Sequence, residues 1–498
     1  MTDILFVCAS ATSVVVRMYS QPSLMIDMLA VRPLPLGQCL KPSRTAQARG
    51  PRSARALTAL GVFATLTAAQ LAFADPAAAQ VRGATQPKED PRRHGSGAKI
   101  TTEVDAEDKA KNRADSERLH DSYQPKGVDF GQFLFLPKIE LDETYNTNLF
   151  ATQTDERGDF VTTIRPELKL RSRFKEHALN LSLLAEQYLH RRFTRDNRTD
   201  MQLDVDGRYD FSSDTQANYF GQLFSRHEDR GSPDDVRGLE PTPIRGFVNR
   251  GGFKHQFGRY TVLSEIGVDR RVFGNVSTAA GTTIRNGDRD RWELLARLRG
   301  SYEMFPGYAA VAEVSGNRRR YDDALDRSGF DRNSYGYRVE SGVGVDLSQL
   351  VRGDFLVGYF AQNYRDARFK DPQGLSVRAT FNWTPTTLTI VVPSFERSVN
   401  ETTTQNASGM VRNAFSLTVR HELERNIILT GYGSVAYDQM SGVKNRDAWT
   451  YEGRARVIYA FTPELYTGAE VGHRNKRSQA ETESFTQTTF MLRLGLQY

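Results

Sequence analysis

The chain has few of the features that mark a helical membrane protein or a metal protein. Its 498 residues include two cysteines, Cys8 and Cys39, so disulfides and cysteine-based metal sites are excluded from the sequence after residue 39. A membrane-spanning helix needs about 20 consecutive apolar residues, and only one stretch, before residue 75, comes near that length. Hydrophobic residues make up 39% of the chain and charged residues 25%. That balance suits a membrane barrel, whose strands each have one wet face.

The sequence also lacks the spacings that indicate an enzyme or a nucleic-acid-binding domain. None of the eight histidines lies in an HExxH or similar spacing, so we expect no catalytic residue, no cofactor and no metal. We interpret His190 as a solvated residue at a strand end, and Asp234 with Asp235 as a solvated charge pair. The net charge of +6 arises from 66 basic and 60 acidic residues spread thinly along the chain. No nucleic-acid partner is therefore expected.

A Sec-type export signal is predicted before residue 75. A basic run at 41–55 without acidic residues precedes an apolar run at 56–74, which ends in the small-x-small pattern Ala72-Phe73-Ala74. The alternative is an uncleaved membrane anchor. Since about forty residues precede the basic run, more than such signals usually carry, we hypothesise that translation starts at Met25 or Met28.

The chain is expected to consist of three parts. Residues 1–74 form an N-terminal extension plus the cleaved signal peptide. Residues 75–129 are polar and charged with almost no large apolar residues, which predicts a disordered periplasmic linker. Residues 130–498 form the folded domain.

Alternation of apolar and polar residues begins near residue 130 and continues to the C-terminus. Successive residues of a strand point to opposite faces, so the last segment has one apolar face, made by Phe490, Leu492, Leu494, Leu496 and Tyr498. The segments run about 10 to 14 residues. Soluble strands average about 5 or 6 residues, whereas tilted membrane strands need about 9 to 11, so a barrel is favoured over a soluble sandwich or propeller.

The spacing of turns predicts the size of this barrel. Eight short turns alternate with nine longer polar loops, of which 227–246 is the longest and 318–333 and 474–484 are further examples. This pattern predicts an all-β, antiparallel, up-and-down transmembrane barrel of about 18 strands, within a range of 16 to 20, with both ends in the periplasm. Loop 227–246 is expected to fold inward.

Two short motifs carry a resemblance to a known family. The C-terminal segment, with alternate apolar residues and a final aromatic, resembles the assembly signal of Gram-negative outer-membrane proteins. The stretch Tyr145-Asn146-Thr147-Asn148-Leu149-Phe150-Ala151 resembles the Tyr-Asp-x-Asn-Ile-Phe-Ala stretch of a poorly characterised outer-membrane β-barrel (porin) family of alphaproteobacterial type, with Asn146 in place of the usual acid. The resemblance covers residues 130–498. It implies insertion by the barrel assembly machinery and no particular substrate.

The predicted function is a porin-like aqueous channel in the outer membrane for small polar or anionic solutes, because a barrel of about 16 to 18 strands can enclose a water-filled lumen. The expected partners also include outer-membrane lipid and lipopolysaccharide. The residues predicted to line the pore are Arg165, Lys169, Arg171, Arg208, Arg297, Arg299, Arg338, Arg378, Arg420, Arg454, Arg456, Arg493, Glu340 and Asp204.

Alternatives to a small-solute channel stay open. The basic excess of the lumen predicts anion preference, unless these charges pair with acids and only brace the wall. The same arginines would suit an exporter of an anionic exopolysaccharide. A third possibility is a structural or adhesive barrel plugged by its own side chains.

Overall fold

The computed structural model describes residues 123–498 except 234, 348, 349, 403 and 405, and a separate hairpin of two strands, Val7–Ala9 and Thr12–Val14. Apart from this hairpin, the predicted extension with its signal peptide and most of the predicted linker lie outside the described residues and stay predictions. In the described part of the chain, no helix is long and apolar enough to cross a membrane.

Eighteen long antiparallel strands close into one barrel, each paired with its neighbour in sequence and the last paired with the first. The predicted fold class and strand number are confirmed. The strands are β1 (Phe133–Asn146), β2 (Asp159–Ser172), β3 (Ala178–His190), β4 (Arg198–Ser212), β5 (Thr215–His227), β6 (Pro243–Phe257), β7 (Tyr260–Phe273), β8 (Arg291–Phe305), β9 (Tyr308–Tyr321), β10 (Ser334–Leu347), β11 (Val351–Tyr364), β12 (Gln373–Thr386), β13 (Thr389–Asn400), β14 (Met410–Glu424), β15 (Ile427–Met440), β16 (Ala448–Ala460), β17 (Leu465–Ser478) and β18 (Phe485–Gln497).

Short turns and long loops alternate around the barrel. At the short-turn end, Pro306 and Gly307 alone connect β8 to β9, and Gly307 has φ +83°, the left-handed conformation that a type II turn requires after proline. The long loops carry three short 3-10 helices, Thr194–Asp196, Gly287–Arg289 and Glu481–Glu483, and the strand pair Val276–Ser277 and Thr283–Ile284. The strand Val128–Phe130 pairs with the start of β1.

Three predicted loop boundaries are wrong because charged strand ends resemble loops in sequence. The loop expected at 227–246 spans 228–242, and the loop at 274–290 is longer. β9 extends through residues 318–321, and β17 extends through residue 478. The arginines and lysines in these two stretches therefore belong to the barrel wall.

The alternation of side chains is clearest in β18. Leu492 and Leu494 are 67% and 49% exposed on the outer surface, whereas Met491 and Arg493 are 2% and 8% exposed. The outer face of the barrel is thus apolar and the inner face polar. A closed barrel leaves no unpaired strand edge, which is the condition for a β-structure to cross a lipid bilayer. Both chain ends of the barrel lie at the short-turn end, which faces the periplasm in outer-membrane barrels.

Candidate functional site

A buried ionic cluster lines the inner wall where the last strand meets the first. Arg493 on β18 donates to Asp142 from Nε and Nη2, both at 2.7 Å, and to Glu140 at 2.8 Å. Arg165 on β2 donates to Asp142 at 3.0 Å, to Glu140 at 3.3 Å and to Glu186 on β3 at 2.6 Å. All five side chains are buried. These two arginines are therefore neutralised by three carboxylates that lie close to them.

A second cluster lines the wall from β8 to β12. Glu313 and Glu340 are register partners on adjacent strands, so their carboxylates share one face and would repel each other without a cation. Arg378 on β12 bridges them at 2.7 and 2.6 Å. Arg299 on β8 reaches across to Asp354 on β11 at 2.8 Å, and Arg297 lies near Glu313. Contacts between strands this far apart are possible only on the inner face.

The other residues predicted to line the pore also lie on the inner side of their strands. Ten of the twelve predicted cations form ion pairs with carboxylates, and these ten are Arg165, Lys169, Arg208, Arg297, Arg299, Arg338, Arg378, Arg454, Arg456 and Arg493. Of the remaining two, Arg171 also interacts with another residue of the protein, and Arg420 is half-buried. Asp204 accepts hydrogen bonds from Gln202 and Gln222. Their role in a pore stays a prediction, while their pairing gives most of them a wall-bracing contact.

A pocket opens inside the barrel at the long-loop end. Its cavity volume is about 190 Å³, and we call it the basic pocket because lysine and arginine outnumber aspartate and glutamate in its lining. Its basic residues are Arg226, Arg271, Arg289, Arg291, Arg327, Arg332, Arg412, Arg474 and Lys476. Its acidic residues are Asp200, Glu228, Asp229, Asp288, Asp326, Glu401 and Asp438.

Most acids of the basic pocket are already paired. The ion pairs within it are Glu228 with Arg289 at 2.8 Å, Asp288 with Arg327 at 2.8 Å, Asp326 with Arg332 at 2.6 Å, and Asp438 with Arg412 at 3.1 Å. The pocket therefore retains positive charge after these pairs are counted.

Two cations of the basic pocket, Arg291 and Lys476, form no ion pair with any carboxylate in the described part of the chain. They are 4% and 6% exposed. The Arg291 Nε has no hydrogen-bond partner, and its guanidinium lies 5.8 Å from the Phe273 ring and 5.9 Å from the Tyr321 ring. Lys476 stands on β17, on another part of the pocket wall. Nearby carboxylates act on both cations only from beyond ion-pair distance, so each charge is partly compensated. An anion that enters the pocket would therefore be stabilised.

The β9–β10 and β13–β14 loops are hydrogen-bonded to each other at this pocket. Glu401, at the start of the β13–β14 loop, accepts hydrogen bonds from Arg319, from the Tyr321 hydroxyl at 2.6 Å and from the Tyr364 hydroxyl at 3.0 Å. Arg332 in the β9–β10 loop donates to backbone carbonyls of the β13–β14 loop, at Thr402, Thr404 and Ala407. The β13–β14 loop is thus fixed against the inside of the barrel.

The β5–β6 loop, for which inward folding was expected, contacts several other loops. Arg230 donates to Asp196 in the β3–β4 loop at 3.0 Å, and Arg237 donates to the carbonyl of Thr482 in the β17–β18 loop at 2.8 Å. A Cβ added to Gly231 would lie 2.7 Å from Ala151 in the β1–β2 loop. Burial raises the pKa of Asp196, and the nearby Arg230 partly opposes this shift. Further contacts join it to the β7–β8 loop, where Glu228 pairs with Arg289 and the Leu239 N–H donates to the Ser277 carbonyl at 2.8 Å. The loop is therefore held against four other loops.

The residues considered for other chemistry have structural surroundings. The interpretation of His190 as solvated is wrong, since it is 4% exposed and lies 3.1 Å from Asp159. Both side chains are closed to solvent, and Asp159 also accepts backbone N–H bonds from Arg192 and Phe193. Asp235 accepts the backbone N–H groups of its own loop, while residue 234 lies outside the described residues. Within the described ranges, no group of three or more His, Cys, Asp or Glu side chains is placed to hold a metal ion.

Sequence reasoning missed Lys476, Arg474 and Arg271 in the basic pocket. The first two fall within the predicted loop at 474–484, and Arg271 is absent from the predicted pore lining. The signal was present: Glu470, Gly472, Arg474 and Lys476 continue the inward parity of β17 through its charged end.

Comparisons with known proteins give the following matches. A family model described as "Putative beta-barrel porin 2" matches residues 121–498. No curated protein sequence matches the chain.

Several solved outer-membrane channels align with most of the chain at low identity. Pseudomonas aeruginosa OccK3 (OpdO) has 13% identity and a TM-score of 0.37, with 73% of this chain and 95% of that chain covered. OpdK with vanillate, from the same organism, has 10% identity and a TM-score of 0.39, with 73% and 99% covered. A BenF-like porin from Pseudomonas fluorescens has 11% identity and a TM-score of 0.39, with 73% and 99% covered.

Proposed function

Because the chain belongs to the beta-barrel porin family whose model matches residues 121–498, we propose that this outer-membrane protein is a passive channel, and not an enzyme, that favours small anionic solutes. An 18-stranded barrel is wide enough to leave an aqueous lumen. The direction of selectivity then depends on the charges that a solute meets at the mouth.

One observation carries the preference for anions, namely that Arg291 and Lys476 in the basic pocket form no ion pair with a carboxylate among the described residues. The arginines deeper in the barrel add little to this preference. Carboxylates at 2.6 to 3.3 Å neutralise Arg165 and Arg493 in the buried cluster where the last strand meets the first. Cations held at the mouth of a low-dielectric cleft raise the local concentration of anions. The basic pocket, rather than the whole arginine-rich wall, is therefore the proposed selectivity site.

The tied loops favour a small solute over a polymer. Passage of an exopolysaccharide chain would require the contacts of Glu401, Arg332 and Arg230 to open together. Each is a charge-assisted contact, worth about 1.5–3 kcal/mol when removed from water. Small solutes need only the space that already exists within the pocket.

The test is reconstitution of the full barrel in planar bilayers under a salt gradient. We expect conductance steps and a reversal potential that indicates anion preference. Lys476→Gln should lower the anion-to-cation permeability ratio by about two- to fivefold, which corresponds to about 0.5–1 kcal/mol for one cation near a solvated ion. Arg291→Gln should act in the same direction.

Arg477→Gln is the matched control, because Arg477 is the next residue on β17 and is exposed on the outer face. It removes the same charge at the same height without changing the pocket. If the wild-type protein gives no conductance steps, the channel is refuted, and a structural barrel is the alternative that is left. If Lys476→Gln and Arg477→Gln shift the reversal potential equally, the pocket does not set selectivity.

A further inference from the structure

Four arginines lie on the outer surface of the barrel near the long-loop ends of β6 to β9. We call Arg245, Arg270, Arg318 and Arg320, together with Trp292, the outer arginine patch. Arg245, Arg318 and Arg320 are exposed, and Trp292 is 39% exposed. Their outward direction follows from the alternation of the strands.

Three consecutive arginines of β9 show how the strand divides its side chains between the inner and the outer face of the barrel. Arg319 is 4% exposed and donates to Glu293 at 2.9 Å inside the barrel. Arg318 and Arg320 on either side of it therefore point away from the lumen. Solutes in the pore do not meet these two side chains.

Strand register brings the members of the outer arginine patch together. Trp292 is the cross-strand partner of both Arg270 and Arg320, and Leu294 is the partner of Arg318. Directly opposed residues have Cβ atoms about 4.5–5.5 Å apart. The Arg270 guanidinium lies 5.1 Å from the Trp292 ring, which packs edge-on against Phe247 at 5.7 Å. The patch is thus one continuous surface of cations around an aromatic platform.

Most of the charge in this patch is uncompensated. Arg270 forms a bidentate pair with Asp322 at 2.8 and 2.6 Å. Arg245, Arg318 and Arg320 form no ion pair or side-chain hydrogen bond with any residue between 123 and 498 that the structure describes. Three guanidinium groups are left to bind an external anion.

The height of the patch indicates which anion it meets. Below it, the outer surface is apolar, with Leu294, Leu298 and Val314 between 51% and 55% exposed. Tryptophan marks the boundary between hydrocarbon and headgroups, and the long-loop end is the external one. The patch therefore stands at the headgroup level of the outer leaflet, which in Gram-negative outer membranes carries a phosphorylated glycolipid.

We propose that the outer arginine patch binds the phosphate groups of lipopolysaccharide. Guanidinium groups pair with phosphate in a bidentate geometry, and the acyl chains would lie along the apolar strands below. A second copy of this chain is a poorer occupant, because the same arginines would face each other across a symmetric interface. The proposal rests on the location in the outer membrane and not on the channel activity.

The experiment measures binding of diphosphoryl lipid A to the purified full-length protein in detergent by native mass spectrometry. Dephosphorylated lipid A with the same acyl chains is the second probe, and inorganic phosphate is the third. We expect the wild type to prefer diphosphoryl lipid A, with inorganic phosphate at equal concentration unable to displace it. Arg318→Gln combined with Arg320→Gln should weaken this binding by about 30-fold, as estimated from the contribution of two arginines at an anionic lipid surface.

The matched control combines Arg191→Gln with Arg477→Gln, which removes two other exposed outward arginines from the same rim. It should leave affinity within about twofold of the wild type. Heat-modifiable mobility on gels shows that each variant forms a closed barrel. The proposal is overturned if the Arg318 and Arg320 double variant binds as tightly as the control, or if dephosphorylated lipid A binds equally well. It is also overturned if the double variant loses only self-association.

Discussion

Replacement of Arg493 by methionine tests whether the seam of the barrel depends on its ionic cluster. Arg493 is 8% exposed and lies opposite Asp142 in the pairing of the last strand with the first. Methionine keeps much of the length of the side chain but removes three hydrogen bonds to Asp142 and Glu140. The change leaves buried carboxylates with fewer positive partners.

The expected magnitude follows from the partners that stay. Removing one member of a buried ion pair costs about 3–5 kcal/mol. Here Asp142 keeps Arg165 at 3.0 Å, and Glu140 keeps Arg165 at 3.3 Å and the Tyr466 hydroxyl at 2.5 Å. We therefore expect the lower end, about 3 kcal/mol, which is about a 150-fold change in the folding equilibrium constant.

The assay is urea unfolding of the refolded protein in lipid vesicles. Trp292, Trp383 and Trp449 are all on the outer surface, between 39% and 45% exposed, so their fluorescence reports transfer from lipid to water. Arg208→Met is the control, because the side chains of Arg208 and Asp210 are 45% and 21% exposed and such a pair contributes less than about 1 kcal/mol. Equal losses of unfolding free energy in the two variants would refute the reasoning.

Two further predictions concern the loops. Arg332→Met removes the hydrogen bonds to the carbonyls of Thr402, Thr404 and Ala407, so amide hydrogen exchange in 401–409 should rise about tenfold or more. Exchange in the β3–β4 loop, at 191–197, should not change. Unaltered exchange in 401–409 would contradict the anchoring role. Protonation of Asp196 weakens its pair with Arg230, and burial raises the pKa of Asp196 above that of an ordinary aspartate. The protection factors of amides in 228–242, which are corrected for the intrinsic exchange rate at each pH, should therefore fall on acidification at a pH above about 3.9. Asp196→Asn should show the low protection factors at neutral pH and lose the pH response; a variant that keeps the response would assign it to another group.

The architecture followed from the sequence because two local signals are sufficient for it. Alternation fixes which residues share a face, and turn lengths fix the number and direction of the strands; both are independent of partners far along the chain. The resemblance based on Tyr145 to Ala151 and on the C-terminal strand is confirmed by the family match. The alphaproteobacterial type stays a prediction.

Pairing inside the lumen did not follow, since alternation gives the side of a residue but not its neighbour across the barrel. Arg299 and Asp354 are 55 positions apart and meet over three strands, which no local pattern indicates. For the same reason, the arginine-rich inner face suggested more positive charge than the wall retains. The ends of strands were the other failure. The charged residues at 318–320 and 474–476 resemble a loop in sequence, although they continue the parity of β9 and β17.

The two proposals depend on this parity in the same way. At Lys476 and Arg477, and at Arg319 and Arg320, neighbouring cations are divided between the lumen and the outer surface. A slip of one residue in either strand would exchange the two positions and turn an apolar row inward. Register is therefore held jointly by lipid contact outside and ion pairs inside, such as Arg319 with Glu293 at 2.9 Å. Selectivity at the mouth should consequently respond to Lys476 and not to its neighbour Arg477, and glycolipid binding at the rim should respond to Arg318 and Arg320 and not to Arg477.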